Sequence, residues 1–455
     1  MEHIKLLTYH RNFRDLTIRS RKSSGFVMNR CFSFPLDSEN TLITTNHGGW
    51  VILNRGEYSL LFEGHVKRDT KLYAILERTG IILTRDSQTD ILRTSYEQHL
   101  YLNRTPNRIV IWGSDNESNG LGDEMFGDRL EEIGSKAVDF FLSIPQLHNR
   151  VHIEFRGNFL SQYYLLQKVM NYAMIVGWKK KKEVTFTLVS SPHLMTSQIA
   201  RDIMRRRVQY NAYFDGTDEA IDGLKKFHQH RRLYPMSLIQ LIAFPLDYIG
   251  QETRLVGECV ALGLNRIMLK YADYSHPVED YRQTNITSLQ YYNFWKDTLE
   301  LIVQYNRNGI PLIEEQTKAL LRNIFVSGAR SPEARRPCGA GAAQLIVDLT
   351  GRILACYCSD WLKMGSVFTD TYDTVINSEN GLAARCCASD LLPKCSTCAF
   401  NAYCGHCPAR SLQQHGTSLL SEPDDFECQS YIQMIPYLFN KLKNVKDAEL
   451  LTKWV

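Results

Sequence analysis

Cysteine is nearly absent from most of this 455-residue chain: before residue 338 there are only Cys31 and Cys259. No thiolate cluster can form in that stretch, and lone cysteines of this kind read as small buried hydrophobes. Long apolar runs are missing too. The best candidate, "MSLIQLIAFPLDYIG", is broken by Pro245 and Asp247 and is too short to span a bilayer. The N-terminal "MEHIKLLTYHRNFRD" puts charged residues where a secretion signal needs an apolar core, so a cytoplasmic protein is expected. Charge of one sign is also lacking: Lys plus Arg number 53 against 49 Asp plus Glu. Nothing in that balance calls for nucleic acid or an anionic membrane. The single basic run, Lys179 to Lys182 in "GWKKKKEV", reads as a solvated turn. No Ser-His-Asp, P-loop or dinucleotide motif stands in a convincing context, and His228, His230 and His415 sit in ordinary polar surroundings.

What is present is concentrated. Ten of the twelve cysteines lie between Cys338 and Cys428, and in a reducing compartment such clustering points to metal or redox chemistry before disulfides. The densest part is "CSTCAFNAYCGHC", Cys395 to Cys407. A C-x2-C step lets two thiolates from one tight turn face a single metal centre while backbone N–H groups point at the sulfurs. "CGHCP" ends in the cysteine-proline pairing found at iron-sulfur ligands. Two C-x2-C pairs could equally form a four-thiolate zinc knuckle, but zinc would leave Cys338, Cys356 and Cys428 without a role.

The order Cys338, Gly351 in "DLTGRILAC", Cys356, Cys395, Cys398, Cys404, Cys407, Cys428 resembles the SPASM domain of peptide-modifying radical S-adenosylmethionine enzymes. The resemblance implies auxiliary 4Fe-4S clusters, one or two in number. Cys395, Cys398, Cys404 and Cys428 would hold one. Cys338, Cys356 and Cys407 would supply three ligands of the other. Its fourth ligand lies among Cys358, Cys386 and Cys387, of which Cys387 is the one expected. The family commonly has three residues between its last two ligands of this run, where Cys404 and Cys407 are separated by two.

Ahead of the cysteines, strand-like and helical patterns alternate: "NRIVIWG", "DRLEEIGSKAVDFFLSI", "VHIEFRG", "YYLLQKVMNYAMIVGW", "VTFTLVSS" and onward to "RIMLKYADY". This alternation predicts an α/β fold. The segments "AVDFFLSIPQLHNRVHIEFRGNFLSQYYLLQKVMNYA" and "ALGLNRIMLKYADYS" resemble parts of radical S-adenosylmethionine peptide maturases, most of all the maturase of His-Xaa-Ser peptide systems. That likeness implies a partial (β/α) TIM-like barrel with a small N-terminal α+β domain and a C-terminal SPASM-like domain. The expected divisions are residues 1–95, resembling leader-peptide-recognition modules, 96–330 for the barrel, 331–440 for the cysteine-rich domain and 441–455 for a tail.

Against this family the sequence shows two losses. Active members open the barrel with C-x3-C-x2-C. The matching stretch here is "RIVIWGSD", which puts Arg108, Trp112 and Asp115 at the ligand positions, and neither a guanidinium nor an indole ligates iron. The family's Gly-Gly-Glu-Pro turn aligns with Gly157, Asn158, Phe159 and Leu160, so a phenyl ring stands where the carboxylate would be. The expected protein therefore keeps auxiliary clusters, does not bind S-adenosylmethionine, and works with a peptide and an active radical maturase. The competing expectations are a zinc-stapled interaction protein and an enzyme that uses its auxiliary clusters.

Overall fold

The computed structural model describes residues 26–85, 87–89, 91–92, 105–113, 123–230, 233, 235, 238–270, 286–325, 339–356, 362–387, 391–405, 407–415, 419, 422–423 and 425–455, with backbone alone for 123–128 and 413–415. Fifteen strands occur among these residues: β1 Val27–Met28, β2 Cys31–Pro35, β3 Asn40–Thr45, β4 Trp50–Asn54, β5 Ile82–Leu83, β6 Arg108–Trp112, β7 Arg150–Arg156, β8 Glu183–Ser190, β9 Gln209–Phe214, β10 Ile239–Ala243, β11 Arg266–Leu269, β12 Ile313–Glu314, β13 Gln344–Asp348, β14 Arg352–Leu354 and β15 Lys363–Ser366.

Ten of them form one sheet in the order β12-β11-β10-β9-β8-β7-β6-β13-β14-β15. From β6 to β12 the neighbours run parallel in chain order. Such connections need crossovers, and helices supply them. Asp123–Ser143, Tyr163–Lys179, Ser197–Arg205, Asp218–His228 and Glu252–Ala261 lie between successive strands. The local chemistry starts these helices where the pattern requires. Thr196 and Thr217 each accept a backbone N–H three residues on and satisfy an otherwise orphaned donor. This is the partial barrel expected from the alternation. Strands such as "RIVIW" are buried at their centres, which is why they read as near-continuous apolar runs.

The sheet does not stop at the barrel. β13 adds beside β6, parallel and in register from Gln344↔Arg108 to Asp348↔Trp112, and β14 and β15 extend it antiparallel. Gly351 makes the β13–β14 turn at φ +82°, where a Cβ would meet the Phe368 ring at 2.3 Å. The helices Ser288–Arg307 and Asp425–Leu442 pack together, and Val445–Thr452 closes the chain against them. No helix among the described residues is long and apolar enough to cross a membrane. In the basic run, Lys180 reaches the Leu142 carbonyl at 3.0 Å.

The N-terminal unit pairs β2, β3 and β4 as an antiparallel meander with two short helices. Alternation along β3 and β4 divides its side chains between two cores. Ile43, Val51 and Leu53 join Leu61, Tyr73 and Leu76 in a local cluster, while Leu42, Trp50 and Ile52 turn into the main core. Trp50 donates Nε1–H to the Ile324 carbonyl at 3.1 Å and meets Phe439 edge-on at 5.0 Å. Thr44 Oγ1 donates to the Ala399 carbonyl at 2.7 Å, which ties this unit to the cysteine-rich loop. Replacing Trp50 with Ala is expected to cost about 3–5 kcal/mol and to shift the urea midpoint of the whole chain. Loss confined to a separate N-terminal transition would show that the two cores are not coupled.

Candidate functional site

Two regions carry the candidate chemistry, the concave face of the barrel and the cysteine-rich loop. In β7 the residues alternate strictly: Val151, Ile153 and Phe155 are fully buried and apolar, and His152, Glu154 and Arg156 point to the opposite face. The apolar side meets the helix faces built by Leu166, Val169 and Met170, which leaves the polar side to the barrel interior. There the Glu154 carboxylate takes Arg156 Nε–H at 2.9 Å on one oxygen and Arg108 on the other. Glu154 and Arg156 are almost wholly buried. A carboxylate can sit there because both its oxygens receive charged donors. His152 lies beside them, its two ring nitrogens each 2.9 Å from the hydroxyls of Thr185 and Thr187. Burial first, and then the Arg108 charge, press its pKa down to about 4. Arg108 Nε and Trp112 Nε1 are buried donors without a partner among the described residues.

The ligand positions inferred from spacing need correcting. Arg108 and Trp112 are the first and last residues of β6. Four steps along a strand separate them by about 13 Å, so residues at these positions are too far apart to hold one compact cluster, whatever their type. The loop that leaves the strand begins at Gly113, and Asp115 lies outside the described residues. The second motif does fall at the barrel mouth. Gly157 follows β7 at φ +132°, and a Cβ there would come within 2.1 Å of the Gly113 carbonyl. Only glycine lets the two strand ends approach this closely. Phe159 is fully buried, edge-on to Phe155 at 6.0 Å, so it serves the core.

The cysteines come from several elements. Cys356 follows β14. Cys386 ends the helix Glu379–Cys386 and Cys387 caps it. Cys395 lies in the short turn of helix Pro393–Ser396, and Cys428 in the first turn of Asp425–Leu442. Cys338 and Cys358 lie outside the described residues. The C-x2-C turn has the expected form: Cys398 N–H returns to the Cys395 carbonyl at 3.0 Å, and Phe400 N–H points at Cys398 Sγ at 3.4 Å. The thiols fall into two neighbourhoods. Burial raises the Cys428 pKa, with Cys398 adding to the rise and Lys394 opposing it. Burial pushes Cys387 up to about 11, with Cys407 and Cys386 beside it adding further; Cys387 also donates to the Leu419 carbonyl at 3.2 Å.

Thiolates that repel one another in this way suit a shared cation, and in donor chemistry both neighbourhoods fit a thiolate-bound cluster. As they stand, no three Cys, His, Asp or Glu side chains among the described residues are gathered closely enough to hold a metal ion. Of the two lone cysteines, Cys259 is wholly buried and its thiol is pushed up to about 12, as suits a small hydrophobe. Cys31 is half-buried against the N-terminal core. His228 contacts the Leu262 carbonyl on the outer face of the barrel.

No family model matches the chain, and no curated protein matches it. Solved structures do. Native anSMEcpe with bound AdoMet, a radical S-adenosylmethionine/SPASM anaerobic sulfatase-maturating enzyme, superposes with a TM-score of 0.59 at 13% identity, over 75% of this chain and 99% of that one. The same enzyme with AdoMet and the Cp18Cys peptide gives 0.60 at 14%, over 76% and 99%. The likeness establishes the fold, a mixed α/β structure of partial TIM-like form.

The interior network could have been read from "RVHIEFR", a strand with polar residues at every second position between apolar ones. It also carries a pH dependence. A histidine whose folded pKa lies near 4, against 6.5 when unfolded, binds its proton more readily in the unfolded chain. Stability is then fully present above pH 6.5 and lost as pH falls toward 4, by about 3 kcal/mol. Denaturation curves between pH 7 and pH 4 should show this slope, and His152→Gln should flatten it.

Proposed function

We propose that this chain is a SPASM-type iron-sulfur protein of a peptide-maturation system, one that holds one or two auxiliary 4Fe-4S clusters but generates no radical of its own. The observation that carries the reading is the absence of any cysteine between Cys31 and Cys259. The loop leaving β6 thus has no thiolate with which to hold the cluster that cleaves S-adenosylmethionine. An iron coordinated entirely by protein has no open position for a substrate. The anSMEcpe structures contain AdoMet; in this chain the polar face of β7 carries the Arg108–Glu154–Arg156 network.

The ligand sets of the proposal are Cys395, Cys398, Cys404 and Cys428 for one cluster, and Cys338, Cys356, Cys407 and Cys387 for the other. Proximity of Cys398 to Cys428 and of Cys407 to Cys387 supports that division. When bound, such clusters supply electron transfer and brace a loop-rich region. The chain's own residues then serve recognition. A peptide partner is supported by the peptide-bound neighbour structure. An active radical maturase, of the kind that serves His-Xaa-Ser peptides, would act on that peptide. A zinc-stapled interaction protein is the second reading, favoured by the two C-x2-C steps.

Purified without oxygen, the protein is expected to be brown, with iron and acid-labile sulfide in equal amounts. A colourless, zinc-containing protein would select the second reading. Reduced with dithionite and given S-adenosylmethionine, it is expected to form no 5′-deoxyadenosine above a cluster-free control, as followed by chromatography. Turnover would mean that an incompletely ligated auxiliary cluster does the chemistry.

Exchanging Cys395 and Cys398 together for Ser is expected to remove the iron of one cluster and lower the melting temperature. Unchanged iron content would refute the ligand set.

A further inference from the structure

Glu427 joins the two cysteine neighbourhoods. It is buried, with 4% of its surface exposed, and occupies the first turn of the helix Asp425–Leu442, immediately before Cys428. Its Oε2 accepts the Cys407 N–H at 3.0 Å. Cys407 in turn stands just ahead of the helix Pro408–His415, so the carboxylate takes a donor next to a helix start, where negative charge is favourable. One side chain therefore fastens the loop of one proposed ligand set to the helix that carries a ligand of the other. A buried carboxylate costs several kcal/mol unless charge-assisted hydrogen bonds offset it, and a leucine of similar volume would pack there at less expense. Packing alone does not account for it. Tyr291 from the barrel helix Ser288–Arg307 is fully buried, Tyr431, one turn further along the same helix, is half-buried, and burial followed by the Glu427 charge holds both phenols un-ionised.

We infer that Glu427 is a positioning residue that holds Cys407 in register with Cys428, so that the two cysteine sets load metal together and not independently. The inference rests on the ligand assignment proposed above. The physical basis is the entropy of gathering ligands: a loop fixed in place by one strong hydrogen bond arrives at the metal already ordered, and without the bond that ordering must be supplied on loading. A carboxylate so close to two anionic centres also favours their oxidised forms. Glutamine preserves the acceptor and removes the charge, whereas leucine removes both, which separates the two effects.

The test compares wild type, Glu427→Gln, Glu427→Leu and Cys407→Ser in the full-length chain prepared without oxygen. Metal and sulfide per chain, the reduction potential followed by electron paramagnetic resonance, and hydrogen exchange at the Cys407 amide are measured. E427Q should keep the wild-type load and show a potential shifted upward. E427L should lose more than half of the metal, from both sets, and its Cys407 amide should exchange at least tenfold faster. Retention of the full load by E427L, or a loss no greater than that of Cys407→Ser with the second set intact, would overturn the inference. If E427L does not fold, the potential of E427Q decides, and no shift there overturns it. A wild-type chain that binds no metal would refute the ligand assignment itself. Hydrogen exchange in the metal-free proteins would still report whether Glu427 holds the Cys407 loop.

Discussion

Five residue pairs, Gln344 to Asp348 alongside Arg108 to Trp112, join the two halves of this molecule. Without that parallel ladder β6 would be the open edge of the barrel, with a row of unpaired N–H and C=O groups. The cysteine-rich region would then be held by side-chain packing and a few side-chain hydrogen bonds, such as Thr44 to the Ala399 carbonyl. With the ladder in place, β6 becomes an interior strand with β7 on its other side, and the β13–β14 turn at Gly351 is fixed relative to the barrel mouth. The position of Cys356, just past β14, follows from the same hydrogen bonds. So does that of Arg108: its backbone is held from both sides, so its guanidinium is delivered to Glu154 on the neighbouring strand.

The barrel was legible because parallel strands buried on both faces leave a strong mark. "RIVIW" and "SLIQLIAF" have apolar runs too short for helices and too regular for loops. The turn from Cys395 to Cys398 was legible in spacing, since a C-x2-C step constrains its own geometry. What spacing could not carry was register. The match of Arg108, Trp112 and Asp115 to a three-ligand pattern counted residues without knowing that the first two belong to one extended strand. β13 to β15 escaped notice because strands of three to five residues, separated by turns, resemble loop sequence. Glu427 had no sequence signal, because its partner is the backbone of Cys407, twenty residues away.

The interior of the barrel sets a group of charged and polar side chains against apolar walls. Gly157 still permits the close approach of two strand ends that the fold requires. Among the polar residues above it, the buried Glu154 carboxylate takes a charged donor on each oxygen, from Arg108 and from Arg156. His152 is held uncharged at neutral pH by the same surroundings, burial first and then the Arg108 charge.

The β6–β13 pairing also sets a condition on how the protein is made. Its partners lie about 230 residues apart in the chain, a separation typical of slow, topologically non-local folding. During synthesis the barrel strands leave the ribosome well before β13 does, so one edge of β6 has no partner for an interval. At about 5–20 residues per second, that interval is on the order of ten seconds or more. An apolar strand with a bare edge is a template for association with other chains over such a time. The nascent chain is therefore most open to wrong pairing at one identifiable strand, for a time set by the speed of translation through residues 113–344.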